Sequence, residues 1–459
     1  MAHRSKKWLA LPLAVCACLF LTGCLFNSRV EDLFSLPQLP GEYTELKNKI
    51  DTILSDGAEY SAPLSGTNVQ PVQMVDLDGD GVEEAVAFFR KSSDEKPLKI
   101  GIFRAWEESY ELASVIEGSG TSIYSVSYTD LDGDGGMELT VGWRINNTDP
   151  QNLQTLQALS VYKLEELQPR ELLQKTYARY IAADLNGDGL QELIIIRSDE
   201  ESNCTADYYQ WEGRELEITS SARVSTSVAE LSQASARVSV GTLQDGQAAL
   251  FVTGVEESSI AITDILMDRG GELVNITQSS TTGISTEIFR YLSIYPQDID
   301  GDGLTEVPVP TPLPTRNADG NVCYRVDWRG YSPDGTFKTV LTTCHDVDDG
   351  WYLVMPASWN DQVLVTREET GANEITVTFA TVGDVGVPPQ DFLRIYSIAT
   401  GDGQESKAVK GNRFVLSRRT GSIFSAEILE EGTWGGSLTE EALREAFYPI
   451  QAEWSAGDN

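Results

Sequence analysis

From Val72 onward the chain alternates short apolar runs with turns built from Asp and Gly, and this punctuation is its dominant pattern. Val72-Gln-Met-Val75, Val126-Ser-Tyr128 and Tyr180-Ile-Ala-Ala183 each precede such a turn, while Ala85-Val-Ala-Phe-Phe89, Leu139-Thr-Val141 and Leu193-Ile-Ile-Ile196 each follow one. The runs are short, β-branched or apolar, and without a helical period, so they predict β-strands. Two stretches depart from this pattern. Glu42 to Leu54 sets Tyr43, Leu46, Ile50, Ile53 and Leu54 on one helical face. Near the end, Thr439 before Glu440 and Glu441 predicts a capped helix that carries Leu443 and Phe447.

Four of the turns share one pattern at nine-residue length, with Asp or Asn at positions one, three and five and Glu at the ninth. They run Asp76, Asp78, Asp80, Val82, Glu84; Asp130, Asp132, Asp134, Gly136, Glu138; Asp184, Asn186, Asp188, Leu190, Glu192; and Asp298, Asp300, Asp302, Leu304, Glu306. Their first residues lie 54, 54 and 114 residues apart, and the last gap is twice 57. Halfway along it Asp245-Gly246 and the following apolar run remain without most of the acidic residues, so the chain reads as five repeats with the fourth degenerate. An EF-hand needs flanking helices and a bidentate Glu at its twelfth position. Here the twelfth positions are Ala87, Val141, Ile195 and Val309, which excludes it.

These loops, set between strands at this period, resemble the FG-GAP/VCBS repeats of integrin-like β-propellers. The resemblance implies a mainly β fold: a calcium-binding propeller with about five recognisable blades over 42–345, or up to seven if the tail contributes, followed by a small α+β domain over 346–459. It also implies the ligand set. Side chains at positions one, three, five and nine, with the backbone carbonyl at seven, would hold Ca²⁺ in about four structural sites, and the degenerate repeat would hold none. Charge points the same way: the acidic side chains of one turn repel one another unless a cation neutralises them. Oxygen-only donors without His or Cys favour Ca²⁺ or Mg²⁺, and a flexible crowded loop favours the larger ion.

The first residues carry a separate signal. Arg4, Lys6 and Lys7 precede an apolar run from Trp8 to Phe20, and Leu21-Thr22-Gly23-Cys24 resembles the bacterial lipobox. That implies a signal peptide over 1–23, lipidation of Cys24, a tether over 24–41, and a location on the extracytoplasmic face of the cell membrane. Taken together, the chain is similar to VCBS-repeat lipoproteins of Gram-positive bacteria.

Composition narrows the function. With 34 Lys and Arg against 70 Asp and Glu, the net charge is −36, and it becomes −39 once the leader's three positive charges are lost. This excludes nucleic acid as a partner. The two histidines, His3 and His345, cannot build a multi-histidine zinc site. No P-loop, dinucleotide fingerprint or nucleophile elbow is present. The expectation is therefore a cell-surface, membrane-anchored module that binds or adheres to a protein or glycan without catalysis. Its rivals are a carbohydrate-active lyase or hydrolase using Asp or Glu, and an envelope scaffold. His345 beside Asp346, Asp348 and Asp349 reads as a mobile acidic turn, and Trp106, Trp143 and Trp211 read as packing between blades. For Cys323 and Cys344 two hairpin registers stay open, one opposing the sulfurs and one, with a bulged Gly335, separating them.

Overall fold

The computed structural model describes residues 43–106, 109–145, 156–316, 323–359, 362–382, 388–429 and 438–450. The expected leader, Cys24 and the tether lie outside them. Among the described residues no helix is long and apolar enough to cross a membrane.

The protein is mainly β, in six antiparallel sheets. The first contains Val72–Val75, Glu84–Arg90, Leu98–Trp106 and Ser109–Gly118, with Glu59–Tyr60 also paired to Glu84–Arg90. The second runs Ser122–Thr129, Glu138–Ile145, Leu156–Glu165 and Gln168–Thr176, and the third Arg179–Ala183, Glu192–Ser198, Cys204–Glu212 and Glu215–Arg223. The fourth, built from the degenerate repeat, contains Arg237–Thr242, Ala248–Val255, Ile260–Asp268 and Leu273–Asn275, with Glu287–Arg290 on the third of these. In each of these sheets the principal strands pair with their neighbours in sequence, as short turns between apolar runs require.

Side-chain alternation explains why the middle strands are apolar throughout. In Glu192–Ser198, Leu193 and Ile195 pack with Leu159 and Val161 of the second sheet. Ile194 and Ile196, on the opposite face, pack with Leu250 and Val252 of the fourth. A strand covered on both faces has no polar side to present, so its sequence reads as a continuous apolar run. Similar clusters join the first sheet to the second through Phe88 and Trp143, the fourth to the fifth through Phe251 and Val307, and the fifth to the sixth through Leu353 and Phe379.

The tail differs from expectation. The fifth sheet orders Glu306–Pro312, Tyr324–Tyr331, Phe337–Asp346, Trp351–Val354 and then Phe447–Pro449. The boundary expected after His345 thus falls inside a strand, and Phe447–Pro449, the last strand among the described residues, completes a sheet begun on the other side of it. Between them, Val363–Gly371, Glu374–Thr381, Asp391–Ala399, Ser422–Ile428 and Phe414–Arg419 form the sixth sheet, accompanied by the short helices Gln404–Ala408 and Glu440–Ala446. Thr439 Oγ1 accepts from Ala442 N at 3.2 Å, the expected cap.

The hairpin around Ser332 follows the separated register. Tyr331 pairs with Phe337, and a bulge at Trp328/Arg329 moves Arg325 opposite Cys344. Cys204, Cys323 and Cys344 are all free and buried.

Among the described residues, 43–57 group with residues of Ala105–Glu111 in a small unit. Its helix, Thr44–Ser55, buries Leu46 and Ile50, one helical turn apart, as the apolar face predicts. Tyr43 and Tyr110 rings lie 6.3 Å apart.

Candidate metal centre

All four acidic loops occupy corresponding places, before the strands Glu84–Arg90, Glu138–Ile145, Glu192–Ser198 and Glu306–Pro312. In the first three a full strand enters the loop, whereas in the fifth sheet the entry is reduced to the single bridge Gln297–Glu306. The degenerate turn sits between Arg237–Thr242 and Ala248–Val255, closed by Gly246 N donating to Leu243 O at 2.9 Å.

Backbone N–H groups orient each carboxylate in the same way. The first Asp accepts from the sixth-position glycine: Gly81 N to Asp76 Oδ2 is 3.0 Å, Gly135 N to Asp130 Oδ2 3.1 Å, Gly189 N to Asp184 Oδ2 3.0 Å, and Gly303 N to Asp298 Oδ2 2.9 Å. Third-position Asp78, Asp132, Asn186 and Asp300 accept from the N–H two residues on. The fifth-position Asp80, Asp134, Asp188 and Asp302 accept from the N–H of Val82, Gly136, Leu190 and Leu304 at 2.7–2.9 Å. These last four residues enter the loop through their backbone, so their side chains are free to vary. Glycines at the fourth and sixth positions make the tight winding possible: Gly79 and Gly81 have φ of 72° and 87°, where a side chain is strained. A Cβ on Gly79 would also stand 2.5 Å from Gly135 O of the next loop, so adjacent loops touch through bare backbone.

The ninth-position glutamates are the buried members. Glu84, Glu138, Glu192 and Glu306 are at most 3% exposed, and one oxygen of each accepts from the N–H of Leu77, Leu131, Leu185 or Ile299. Burial pushes Glu84 and Glu306 up to about 7, with further upward push from the neighbouring aspartates and against the pull of that N–H. Glu138 and Glu192 shift the same way for the same leading reason.

Carboxylate oxygens converge. One from each of Asp76, Asp78 and Glu84 lie within 4.8 Å of one another, as do those of Asp130, Asp132 and Glu138, of Asp184, Asp188 and Glu192, and of Asp298, Asp300 and Asp302. Oxygens about 2.3–2.6 Å from a shared Ca²⁺ would be spaced in that way. Asp76 Oδ1 and Glu306 Oε1 are moreover buried without a hydrogen-bond partner, a cost that a bound cation removes. The first and fifth-sheet loops fit the ion on these grounds. In the third, Asn186 Nδ2 donates to Asp188 Oδ2 at 3.0 Å and leaves its amide oxygen on the backbone. The second loop differs, because Lys163 Nζ lies within 3.2 Å of three of its carboxylates.

Sequence reasoning missed Lys163, and it missed a cavity of ≈ 330 Å³ lined by the first strands of the second and third sheets. Tyr124, Ser127, Tyr177, Arg179, Tyr180 and Gln191 are among its walls. The Tyr177 and Tyr180 rings meet edge-on at 5.4 Å, and Ser125 Oγ lies 3.2 Å from Tyr180 Oη. Tyr177 Oη and Arg179 Nε are buried without hydrogen-bond partners. These residues carry no spacing signature, because they meet only through sheet packing.

Other candidate residues resolve as structure. His345 is buried, stacked on Tyr352, with Nδ1 3.0 Å from Thr343 Oγ1. The acidic turn beside it is held rather than loose, since Arg367 reaches Asp346 at 3.2 Å and Asp349 at 3.0 Å. Trp143 is buried as expected, whereas Trp106 is 54% exposed, at the end of its strand.

No protein-family model matches the chain, and no curated protein matches it. Among solved structures, AofleA from Arthrobotrys oligospora aligns over 75% of this chain and 85% of its own at 8% identity and a TM-score of 0.26, a likeness too slight to carry an argument.

Proposed function

We propose that the chain is a lipid-anchored, extracytoplasmic, calcium-braced β-propeller that binds a glycan without catalysis. The observation that carries the reading is the recurrence of one loop geometry in four acidic repeats, with converging carboxylates and orphaned oxygens at Asp76 and Glu306. The six sheets are the blades, and the FG-GAP/VCBS resemblance accounts for their period. Asp76, Asp78, Asp80 and Glu84 would hold one ion, and the corresponding residues of the loops ending at Glu192 and Glu306 two more. The ion supplies positive charge that lets these carboxylates sit together, and its role is to brace the blade entry. Cys24 carries the lipid.

The cavity at Tyr124, Tyr177, Arg179 and Tyr180 is the ligand site. Aromatic rings offer faces for the apolar side of a sugar, and Ser127 and Gln191 offer polar contacts. A recess of this volume suits a sugar unit better than a flat protein surface, and the chain's acidity disfavours an anionic polymer. A polysaccharide array read for both retention and product release, with the leader-free chain in calcium, tests this. Retention of neutral glycans that is lost in Tyr180→Ala is the expected result. Release of cleaved product, abolished in Tyr180→Ala, would make the protein an enzyme.

A further inference from the structure

The four acidic loops are near-copies in sequence, yet the strand that pairs beside the ninth glutamate brings a different residue to each. Glu306 stands opposite Gly330. Leu193 stands opposite Tyr209, which places Gln210 beside Glu192, and Leu139 opposite Tyr162, which places Lys163 beside Glu138. In the first sheet the same step brings Arg104, which is exposed. Residues opposite one another in an antiparallel pair project from the same face of the sheet, so Lys163 emerges on the side of Glu138.

Its ammonium goes into the loop. Lys163 Nζ lies 2.5 Å from Asp132 Oδ2, 2.9 Å from Asp134 Oδ2 and 3.2 Å from Glu138 Oε1, at the third, fifth and ninth positions of the ligand pattern. An ammonium has three N–H donors, and these three acceptors use them all. The site is secluded: the lysine side chain is 16% exposed, Asp132 9% and Glu138 1%. Trp211, from the third sheet, covers the ammonium with its ring centroid 5.3 Å from Nζ, a cation–π contact.

We infer that Lys163 is a tethered cation standing in for calcium in the second loop, so that this loop closes without metal and the chain takes three calcium ions rather than four. The geometry gives the reason: a bound ion would need the same oxygens of Asp132, Asp134 and Glu138 that the ammonium engages, and the tether keeps the ammonium at high local concentration. The inference rests on the calcium reading for the remaining loops.

Calcium stoichiometry of the whole leader-free chain, measured by equilibrium dialysis with elemental analysis, tests it. Three ions per wild-type chain and four per Lys163→Met chain are expected. Four ions in the wild type would overturn it, and so would an unchanged three in a folded Lys163→Met. Should Lys163→Met fail to fold, Asp132→Asn decides: the count stays at three if Lys163 occupies the loop, and a fall overturns the inference. Asp300→Asn is the separate control on the calcium reading and should lower the count by one. A wild type that binds no calcium sinks that reading alone. Lys163 is then judged in chelator, where Lys163→Met should lower the melting temperature and an unchanged value would overturn its role.

Discussion

The imidazole of His345 lies flat against the ring of Tyr352, with centroids 5.1 Å apart and 9° between planes. With Thr343 at Nδ1 and almost no exposure, this is a core histidine, and burial pushes it down from 6.5 to about 3. Between those values the unfolded chain binds a proton that the native one refuses. Its contribution to stability is therefore complete above pH 6.5 and is lost as pH falls toward 3, by about 1.4 kcal/mol per pH unit. In paired denaturant titrations His345→Phe should flatten the acid limb by that slope. The leader-free chain has one histidine, so its proton resonances report directly; a native imidazole titrating near 6.5 would contradict the assignment.

The three buried cysteines predict a simple chemical result. Register separates Cys323 from Cys344, and burial pushes the thiols of Cys204 and Cys323 up to about 12, so they are poor nucleophiles. Native protein should react slowly with a thiol reagent. Denatured leader-free protein that also lacks Cys24 should show three thiols whether or not it was first reduced, and two fewer without reduction would reveal a disulfide.

What the sequence disclosed and what it withheld divide by distance along the chain. The acidic loops were legible because nine consecutive residues define them, and the turn from Asp76 to Glu84 needs no knowledge of neighbours. The strands following the loops were legible for a related reason, since runs such as Leu193–Ile196 must be covered on both faces. Lys163 was not legible, because its position opposite Glu138 depends on strand register. Tyr124, Tyr177 and Arg179 meet only where the second and third sheets adjoin. The return of Phe447 to pair with Leu353 from far along the chain was not legible either. Local pattern records the strands on either side but not that closure.

That closure is itself testable. Phe447 stacks on Trp351 with centroids 5.5 Å apart, is 5% exposed, and belongs to the cluster shared by the fifth and sixth sheets. Phe447→Ala should cost about 3–5 kcal/mol, the usual range for a buried phenylalanine. If the terminal segment were instead an independent appendage, the urea midpoint would barely move.

Calcium should reverse the effect of a substitution at Glu306. Without metal, burial and three nearby aspartates raise this carboxyl from 4.5 to about 7, so the native state holds its proton more tightly than the unfolded chain. Metal-free stability therefore falls as pH rises through that window, and above pH 7 the charged group is a standing cost. In chelator at pH 8, Glu306→Gln removes the charge while keeping the acceptor for Ile299 N, and the variant should melt higher than the wild type. Added calcium binds the folded loop and not the unfolded chain. For a dissociation constant on the order of 0.1–1 mM, 10 mM calcium would stabilise each occupied loop by roughly 1–3 kcal/mol. The wild type should gain this at the fifth-sheet loop and Glu306→Gln should lose most of it, so the order of melting temperatures inverts between chelator and calcium. Melting curves that keep the same order in both conditions would show that Glu306 does not face a metal.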